Sequence, residues 1–377
     1  MKVLLVANYP LEYNPSMHAY AQLLFCGLSS AKLDVHMIKP YPIFGRIVKK
    51  GGVGKWISYI DRFLIFPIIL KVYAGKFDII HILDHCNAVY APFIDAKKRV
   101  ITCHDMIGVR ASFGDVPFTR VSFTGKILQR IILKGLRMTE NVICVSEQTR
   151  KDLIVFIEDN KHNLFTVKNA LRLNTENSGD PTQTIRTSTM TPLMVPYIFH
   201  VGSNMPQKNR SGILEFYKNI IDIPRFENFN LVFCGQHLST DLLEQAKSLC
   251  LSQRVHDLGF VSDAELSYLY SKAELLIFPS LMEGFGWPII EAQSRGCLVV
   301  TSNIKPMNEI SGSGAILINP YDMRSSAQEV ADQYTRRDEF IELGYANCGK
   351  YLPDKMIDEL IEIYEKIAFA RQKNSND

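Results

Sequence analysis

Short runs of consecutive apolar residues recur along this chain, and the stretches between them are long enough to be helices. In the first part the runs fall at residues 2–7, 35–38, 78–83, 99–103 and 142–145, with helix-length spacers such as 16–28 and 125–138. Strands that recur with helical spacers imply parallel β-α-β units. Residues 172–196 then read RLNTENSGDPTQTIRTSTMTPLMVP, polar and turn-forming, which is the composition of a linker. A second series of runs follows at 197–201, 230–234, 275–278, 298–301 and 315–318. Near the end, Ile357, Leu360, Ile361, Ile363, Tyr364 and Ile367 stand at helical spacing. The pattern predicts an α/β chain of two doubly wound domains, 1–171 and 197–353, joined by a linker at 172–196. A helix over 354–377 is expected to pack back on the first domain. In such sheets ligands bind outside the carboxyl ends of the strands, so the two domains would face each other across one central cleft.

Composition narrows the class. The chain has 377 residues, 47% hydrophobic and 21% charged, which excludes disordered, collagen-like, disulfide-scaffold and coiled-coil proteins. No apolar run approaches the ~20 residues of a spanning helix. The opening MKVLLVA is too short for a signal peptide and runs into Asn8, Tyr9 and Pro10, so a cytoplasmic chain is expected. The eight cysteines lie far apart with no C-x-x-C pair, and several sit in apolar runs (ICVS, VFCG, CLVV). Buried reduced thiols are expected, with no metal site.

Charge adds an asymmetry. Residues 1–140 hold 19 Lys and Arg against 9 Asp and Glu, whereas the remainder holds 23 against 30. The first part is therefore expected to meet an anionic partner. Arg46, Lys49, Lys50, Lys55 and Arg62 lead directly into FLIFPIIL and Lys71, a basic stretch beside an apolar one. Docking on an anionic lipid surface fits this run, and so does a core helix behind a solvated loop. The KGGVGK at 50–55 comes close to a phosphate-binding P-loop. Trp56 stands where Ser or Thr must follow, and no strand precedes it, so a basic loop is the better account.

The most informative stretch is LLIFPSLMEGFGWPIIEAQSRGCLVVTS, residues 275–302. An apolar strand ends at Phe278, a loop carries Glu283-Gly284-Phe285-Gly286, and Pro288 suits the start of a helix that Gly296 would end. Glycines here let backbone N–H groups approach a ligand, and a helix start favours phosphate. Glu283 and Glu291 stand eight residues apart. They could grip sugar and ribose hydroxyls on either side of a diphosphate, or merely favour the helix N-terminus. The spacing alone serves both.

This stretch resembles the E-x7-E region of family four glycosyltransferases, retaining enzymes with the GT-B fold. HVGSNMPQKNRSGILEFY at 200–217, LGFVSDAELSYLYSKAELLIFPS at 258–280 and TSNIKPMNEISGSGAILINPYD at 301–322 resemble further blocks of that family. So do IIHILDH, VITCHDM and VICVSEQTRKDL in the first part. The resemblance implies a GT-B architecture of two Rossmann-like domains and transfer of a hexose or deoxyhexose, such as mannose or rhamnose, from a nucleotide-diphosphate sugar. It implies a glycan or lipid-linked glycan acceptor, in surface polysaccharide biosynthesis. No cofactor, metal or nucleic-acid partner is expected, and the location is cytoplasmic or peripheral on the inner face of the membrane.

Carried over by position, the resemblance gives Glu283 to the donor sugar, Glu291 to the ribose, and Lys208, beyond Gly202, to the leaving diphosphate. Backbone groups of Phe285, Gly286 and Trp287 would meet sugar and diphosphate, and Gly259, Phe260 and Val261 would receive the base. His104 would stand beside the donor sugar, with Asp105, Asp84, His85, Ser16 and His18 on the acceptor side. Ser146 followed by Thr149 reads as a helix cap. The chain departs from the family at Asn14 to His18, where paired glycines are common, and at Gln207, where a second basic residue often precedes the lysine. Those departures keep open a non-catalytic nucleotide-sugar-binding protein, alongside another GT-B enzyme such as an epimerase or phosphorylase.

Overall fold

The computed structural model describes residues 1–11, 14–45, 58–158, 161–172 and 195–376. The chain divides into two compact units, one of Met1–Ala170 with Pro353–Asp377 and one of Leu171–Leu352. In the first unit β1 (Lys2–Val6), β2 (Asp34–Ile38), β3 (Ile79–Ile82), β4 (Arg99–Cys103), β5 (Asn141–Cys144) and β6 (Asn163–Thr166) form one sheet. Its order is β2-β1-β3-β4-β5-β6 and every pairing is parallel. The four interior strands are buried almost throughout. That is why they read as mainly apolar runs, interrupted by Lys2, His81, Arg99, Thr102 and Asn141: a parallel sheet is covered on both faces. Helices α1 (Pro15–Ser30), α2 (Phe66–Ala74) and α3 (Phe123–Arg137) lie among the connections. Phe66 and Leu70 of α2 and Leu133 and Leu136 of α3 join Leu4, Val6, Ile80, Ile82, Ile101 and Val142 in one core.

The second unit repeats the plan with β7 (Tyr197–Gly202), β8 (Asn230–Gly235), β9 (Val255–Asp257), β10 (Leu275–Phe278), β11 (Leu298–Ser302) and β12 (Ala315–Ile318). Its order, β12-β11-β10-β7-β8-β9, reverses direction between β7 and β10, again with all pairs parallel. Ligands sit at such reversals because the loops leaving the two strands part there. Helices α4 (Arg210–Ile220), α5 (Asp263–Lys272) and α6 (Trp287–Gln293) position the residues considered below. Helix α5 opens on a complete capping box between Ser262 and Glu265.

The last helix, α7 (Pro353–Asn376), belongs to the first unit. Its Ile357, Leu360, Ile363, Tyr364 and Ile367 are buried. Tyr364 O–H meets His81 Nδ1 at 2.6 Å, and His81 Nε2 meets Thr102 Oγ1 at 2.7 Å. Burial, with His104 nearby, pushes His81 down to about 3, so the ring is neutral and both nitrogens are used by hydroxyls.

Several expectations are corrected. Two edge strands, β6 and β9, carry no continuous apolar run and were not anticipated; each is half-exposed, so nothing demands one. Asn14 to His18, where the family's paired glycines are missing, is the start of α1, one residue ahead of the expected 16–28: Asn14 caps it by accepting from Met17 N–H, and Pro15 takes the first position. Arg62, read with the solvent-facing basic stretch, is buried with its guanidinium over the rings of Tyr9 and Phe63, at 5.8 and 5.3 Å. Beside it, buried Asp61 accepts from Tyr9 O–H and the Phe44 and Gly45 N–H groups. Of the thiols, Cys26, Cys86 and Cys250 are exposed rather than buried, and all eight are free. The KGGVGK motif lies outside the described residues, as does nearly all of the 172–196 linker.

Candidate functional site

The topological reversal of the second sheet is where its candidate residues gather. Strand β7 ends on Gly202, and a short turn at Pro206–Lys208 leads into α4. Strand β10 ends on Phe278, and its loop carries Ser280 and Glu283. Leu281 N–H donates to the Gln207 carbonyl at 2.8 Å, stitching the two loops together. Lys208 Nζ reaches Glu283 Oε1 at 2.5 Å and stands 5.3 Å from the Phe278 ring. Ser280 O–H donates to the same carboxylate oxygen at 2.8 Å. The lysine and the glutamate, 75 residues apart in sequence, therefore share one partly buried ion pair.

Arg210, two residues beyond Lys208, holds the rest of this loop. Its guanidinium donates to the carbonyls of Gly202, Cys234 and Gln236 and to Asn204 Oδ1, at 2.6 to 2.9 Å. Burial pushes it down to about 10, still a cation at neutral pH. Sequence reasoning passed over Arg210 because a cation that binds only carbonyls leaves no local motif. Gly235 sits at φ +99°, where a Cβ would lie 2.3 Å from the Gly202 carbonyl oxygen, so only glycine lets β7 and β8 end this close together.

Glu291 lies within α6, which starts after Gly286 at φ +104° and is seven residues long. Its side chain is buried. Oε2 accepts from Tyr270 O–H at 3.0 Å, and Oε1 accepts from both Nε (2.8 Å) and Nη2 of Arg172. The Arg172 guanidinium also stands over the Trp287 ring, 5.4 Å from its centroid. The loss of hydration lowers the arginine's pKa, yet the facing carboxylate outweighs it and leaves the group raised. Burial and the same carboxylate raise Tyr270. Neither Arg172 nor Tyr270 was anticipated, and no sequence signal links them to Glu291.

The remaining donor-side residues differ in what they offer. The Phe285 ring packs edge-on against Trp287 and Tyr351, at 6.2 and 5.8 Å, and both Phe285 and Trp287 are buried, which makes their rings core rather than contact surface. Gly259 donates its N–H to Asp257 Oδ1 at 3.0 Å, and its carbonyl accepts from Gly235 N–H at 2.9 Å, so this backbone is already engaged. Phe260 beside it is 47% exposed and presents an aromatic face to solvent, while Val261 is half-buried.

In the first unit the carboxyl ends of β3 and β4 bring His104, Asp84 and His85 together. His104 is buried, its Nε2–H donating to the Leu83 carbonyl at 2.9 Å, and Tyr20 packs edge-on to the ring at 4.8 Å. Burial lowers the His104 pKa. The His104 backbone N–H donates to His85 Nδ1 at 3.3 Å, and that nitrogen also lies 3.4 Å from Asp84 Oδ1. Asp84, expected on the acceptor side, is a buried strand-end cap. It accepts from Asn8 Nδ2 at 2.6 Å and Cys86 N–H at 2.9 Å, and despite its burial it is held below its ordinary pKa by His85, His104 and these bonds. Asp105 accepts from Ile107 N–H at 2.8 Å as a turn cap. Ser16 and His18 lie in the first turn of α1 and are half-buried. Ser146 caps its helix by accepting from Thr149 N–H. Among the described residues, Asp84, His85 and Cys86 are close enough to hold a metal ion, with one ligand atom from each within 4.8 Å of the others.

Two parallel Rossmann-like units of this kind are the architecture of the GT-B glycosyltransferases. The whole chain superimposes on a sucrose-phosphate synthase from Thermosynechococcus elongatus with a TM-score of 0.73, over 98% of this chain and 99% of that one, at 16% identity. Residues 182–346 match the family model described as glycosyl transferases group 1. It is 31% identical over 233 residues to the O-antigen chain mannosyltransferase RfbU of Salmonella typhimurium, covering 61% of this chain and 59% of that protein. It is 31% identical over 109 residues to the GDP-mannose:cellobiosyl-diphosphopolyprenol alpha-mannosyltransferase of Komagataeibacter xylinus, covering 28% of each. The chain thus spans less than two thirds of either relative.

Proposed function

We propose that this protein is a retaining glycosyltransferase that moves mannose from a nucleotide-diphosphate donor to a glycan or lipid-linked glycan acceptor in surface polysaccharide assembly. The observation that carries this reading is the Lys208–Glu283 pair at the reversal of the second sheet, inside a group 1 glycosyltransferase domain. The mannosyltransferase relatives support the sugar, and the GDP-mannose donor of the Komagataeibacter enzyme supports GDP as the carrier.

The chemistry follows from charge. Breaking the bond between sugar and diphosphate leaves negative charge on the phosphate, and a fixed cation aimed there lowers the barrier. Lys208 is that cation in this reading, and Glu283 takes the sugar hydroxyls once the lysine turns to phosphate. Glu291 takes the ribose, and His104 stands beside the sugar. Phe260, being exposed, offers its ring to the base. On the acceptor side Asp84 orients its neighbours, and His85 is the better candidate for contact. The chain also associates peripherally with an anionic membrane surface in this reading, through basic and apolar faces of the first unit.

The test supplies GDP-mannose, with nucleotide-diphosphate glucose and rhamnose as competitors, together with a lipid-linked glycan acceptor. Acceptor-dependent release of GDP, with the anomeric configuration of the product retained, is the expected result. Binding of the nucleotide without turnover on any acceptor would instead identify a non-catalytic binding protein.

A further inference from the structure

Glu291, like Glu283, is already occupied by the protein's own side chains, and here they engage both carboxylate oxygens. A carboxylate offers about four acceptor positions, two on each oxygen. Arg172 takes both on Oε1, through Nε at 2.8 Å and through Nη2, and Tyr270 takes one on Oε2 at 3.0 Å. One position is left, and it lies on Oε2. A vicinal diol gripped by both carboxylate oxygens needs one position on each. Within this unit, then, Glu291 as it stands can receive one hydroxyl of a ribose but not the pair.

We propose that Arg172 is a latch on Glu291, which the ribose diol of the donor nucleotide must displace from Oε1. This rests on the reading of the site as a nucleotide-sugar site. Arg172 is a positioning residue: it keeps the buried carboxylate charged and oriented between donors, and it sets how strongly the site senses the two ribose hydroxyls. Its second contact, the face of Trp287 at 5.4 Å, gives the guanidinium somewhere to remain once the fork opens. Opening the latch is required only for a ligand that carries the diol, so the cost falls on ribonucleotides alone.

The test is equilibrium binding of GDP and of 2′,3′-dideoxy-GDP to the full chain, read as the ratio of their Kd values. With Arg172→Ala the preference for GDP over the dideoxy form should rise by roughly tenfold, the worth of one hydrogen bond to a charged group. Arg172→Lys keeps the charge but donates from a single point, and should fall between the two. Arg172→Gln replaces the alanine variant if circular dichroism shows that the latter is unfolded. An unchanged or smaller preference in a folded Arg172 variant overturns the latch. Glu291→Gln separates the two levels of the argument. If it collapses the preference while the Arg172 variants leave it unmoved, the donor site stands and the latch alone falls. If it leaves the preference at the wild-type value, or if GDP does not bind the wild type, the site reading fails and the latch with it.

Discussion

Under the proposed function, Lys208 and Glu283 serve both the resting protein and the reaction. Paired, they neutralise each other where neither is fully hydrated; with a diphosphate present, the lysine has a stronger partner. Lys208→Ala should therefore lower kcat by about 10²–10³-fold, the usual effect of removing one transition-state donor, while nucleotide affinity changes much less. Wild-type turnover in the folded variant would remove Lys208 from the mechanism. A second residue-scale effect concerns acid. Burial, with His104, pushes His81 down to about 3, and burial, with Arg210, does the same to His200. The unfolded chain takes up these protons first, near pH 6.5, so stability is full above that pH and is lost as pH falls from there toward 3. At pH 5 each histidine should cost ~2 kcal/mol. Urea unfolding at pH 7.5 and pH 5 checks this: His81→Asn should lose less on acidification than the wild type, and an equal loss would refute the assignment. At this scale the sequence was legible where a residue belongs to a continuous motif, as Glu283 does. It was silent on Arg172, which reaches Glu291 across 119 positions, because nothing local marks a long-range partner.

Among the elements, the interior strands and the edges β2 and β12 declared themselves, whereas the edges β6 and β9 did not. A strand such as β10, buried at every position, is apolar throughout as Leu-Leu-Ile-Phe, whereas β9 at the sheet's rim can spell Val-His-Asp. The helix expected over 16–28 starts one residue earlier, with Pro15 in first place after the Asn14 cap. The spacing of apolar residues did show α7 as a helix, but not what it rests on. Part of its seat is Gly27 of α1, where a Cβ would fall 2.5 Å from Ile357 Cγ1. Gly27→Ala would ordinarily stabilise a helix by ~1 kcal/mol. Here it should destabilise, since the added methyl must push Ile357 aside in a packed core. A double-mutant cycle with Ile357→Ala is the measure: the two changes should be coupled by more than ~0.5 kcal/mol, with the pair less damaging than the sum of the singles. Simple additivity would show that α1 and α7 are not packed together as described.

For the molecule as a whole, the excess of 19 basic over 9 acidic residues in the first 140 was plain from sequence, but its placement was not. Arg62 is buried, and the basic residues at 46–57 lie outside the described part. The structure instead exposes two faces in the first unit. Leu64, Ile68, Ile69 and Val72 are exposed on and just before α2, next to exposed Lys71. On α3, Phe123 is 79% exposed and Ile127 and Ile131 are exposed with it, interleaved with Lys126, Arg130 and Lys134. Helix α3 contains no acidic residue at all. Apolar side chains standing in water among cations alone suit a surface that is anionic outside and apolar beneath. No described helix is long and apolar enough to cross a membrane, so the proposed association is with the surface. Sedimentation with vesicles tests it. Binding should require anionic lipid and weaken as salt rises, because attraction at the surface is screened within about 10 Å at 0.1 M. Changing Lys126, Arg130 and Lys134 to Glu should lower partitioning by at least ~100-fold, at about 1 kcal/mol for each charge near the surface. Phe123→Ser should weaken binding at high salt as well, since its contribution is burial of apolar area rather than charge. Equal recovery in the supernatant with neutral and anionic vesicles would mean that these faces meet a soluble acceptor or another protein instead.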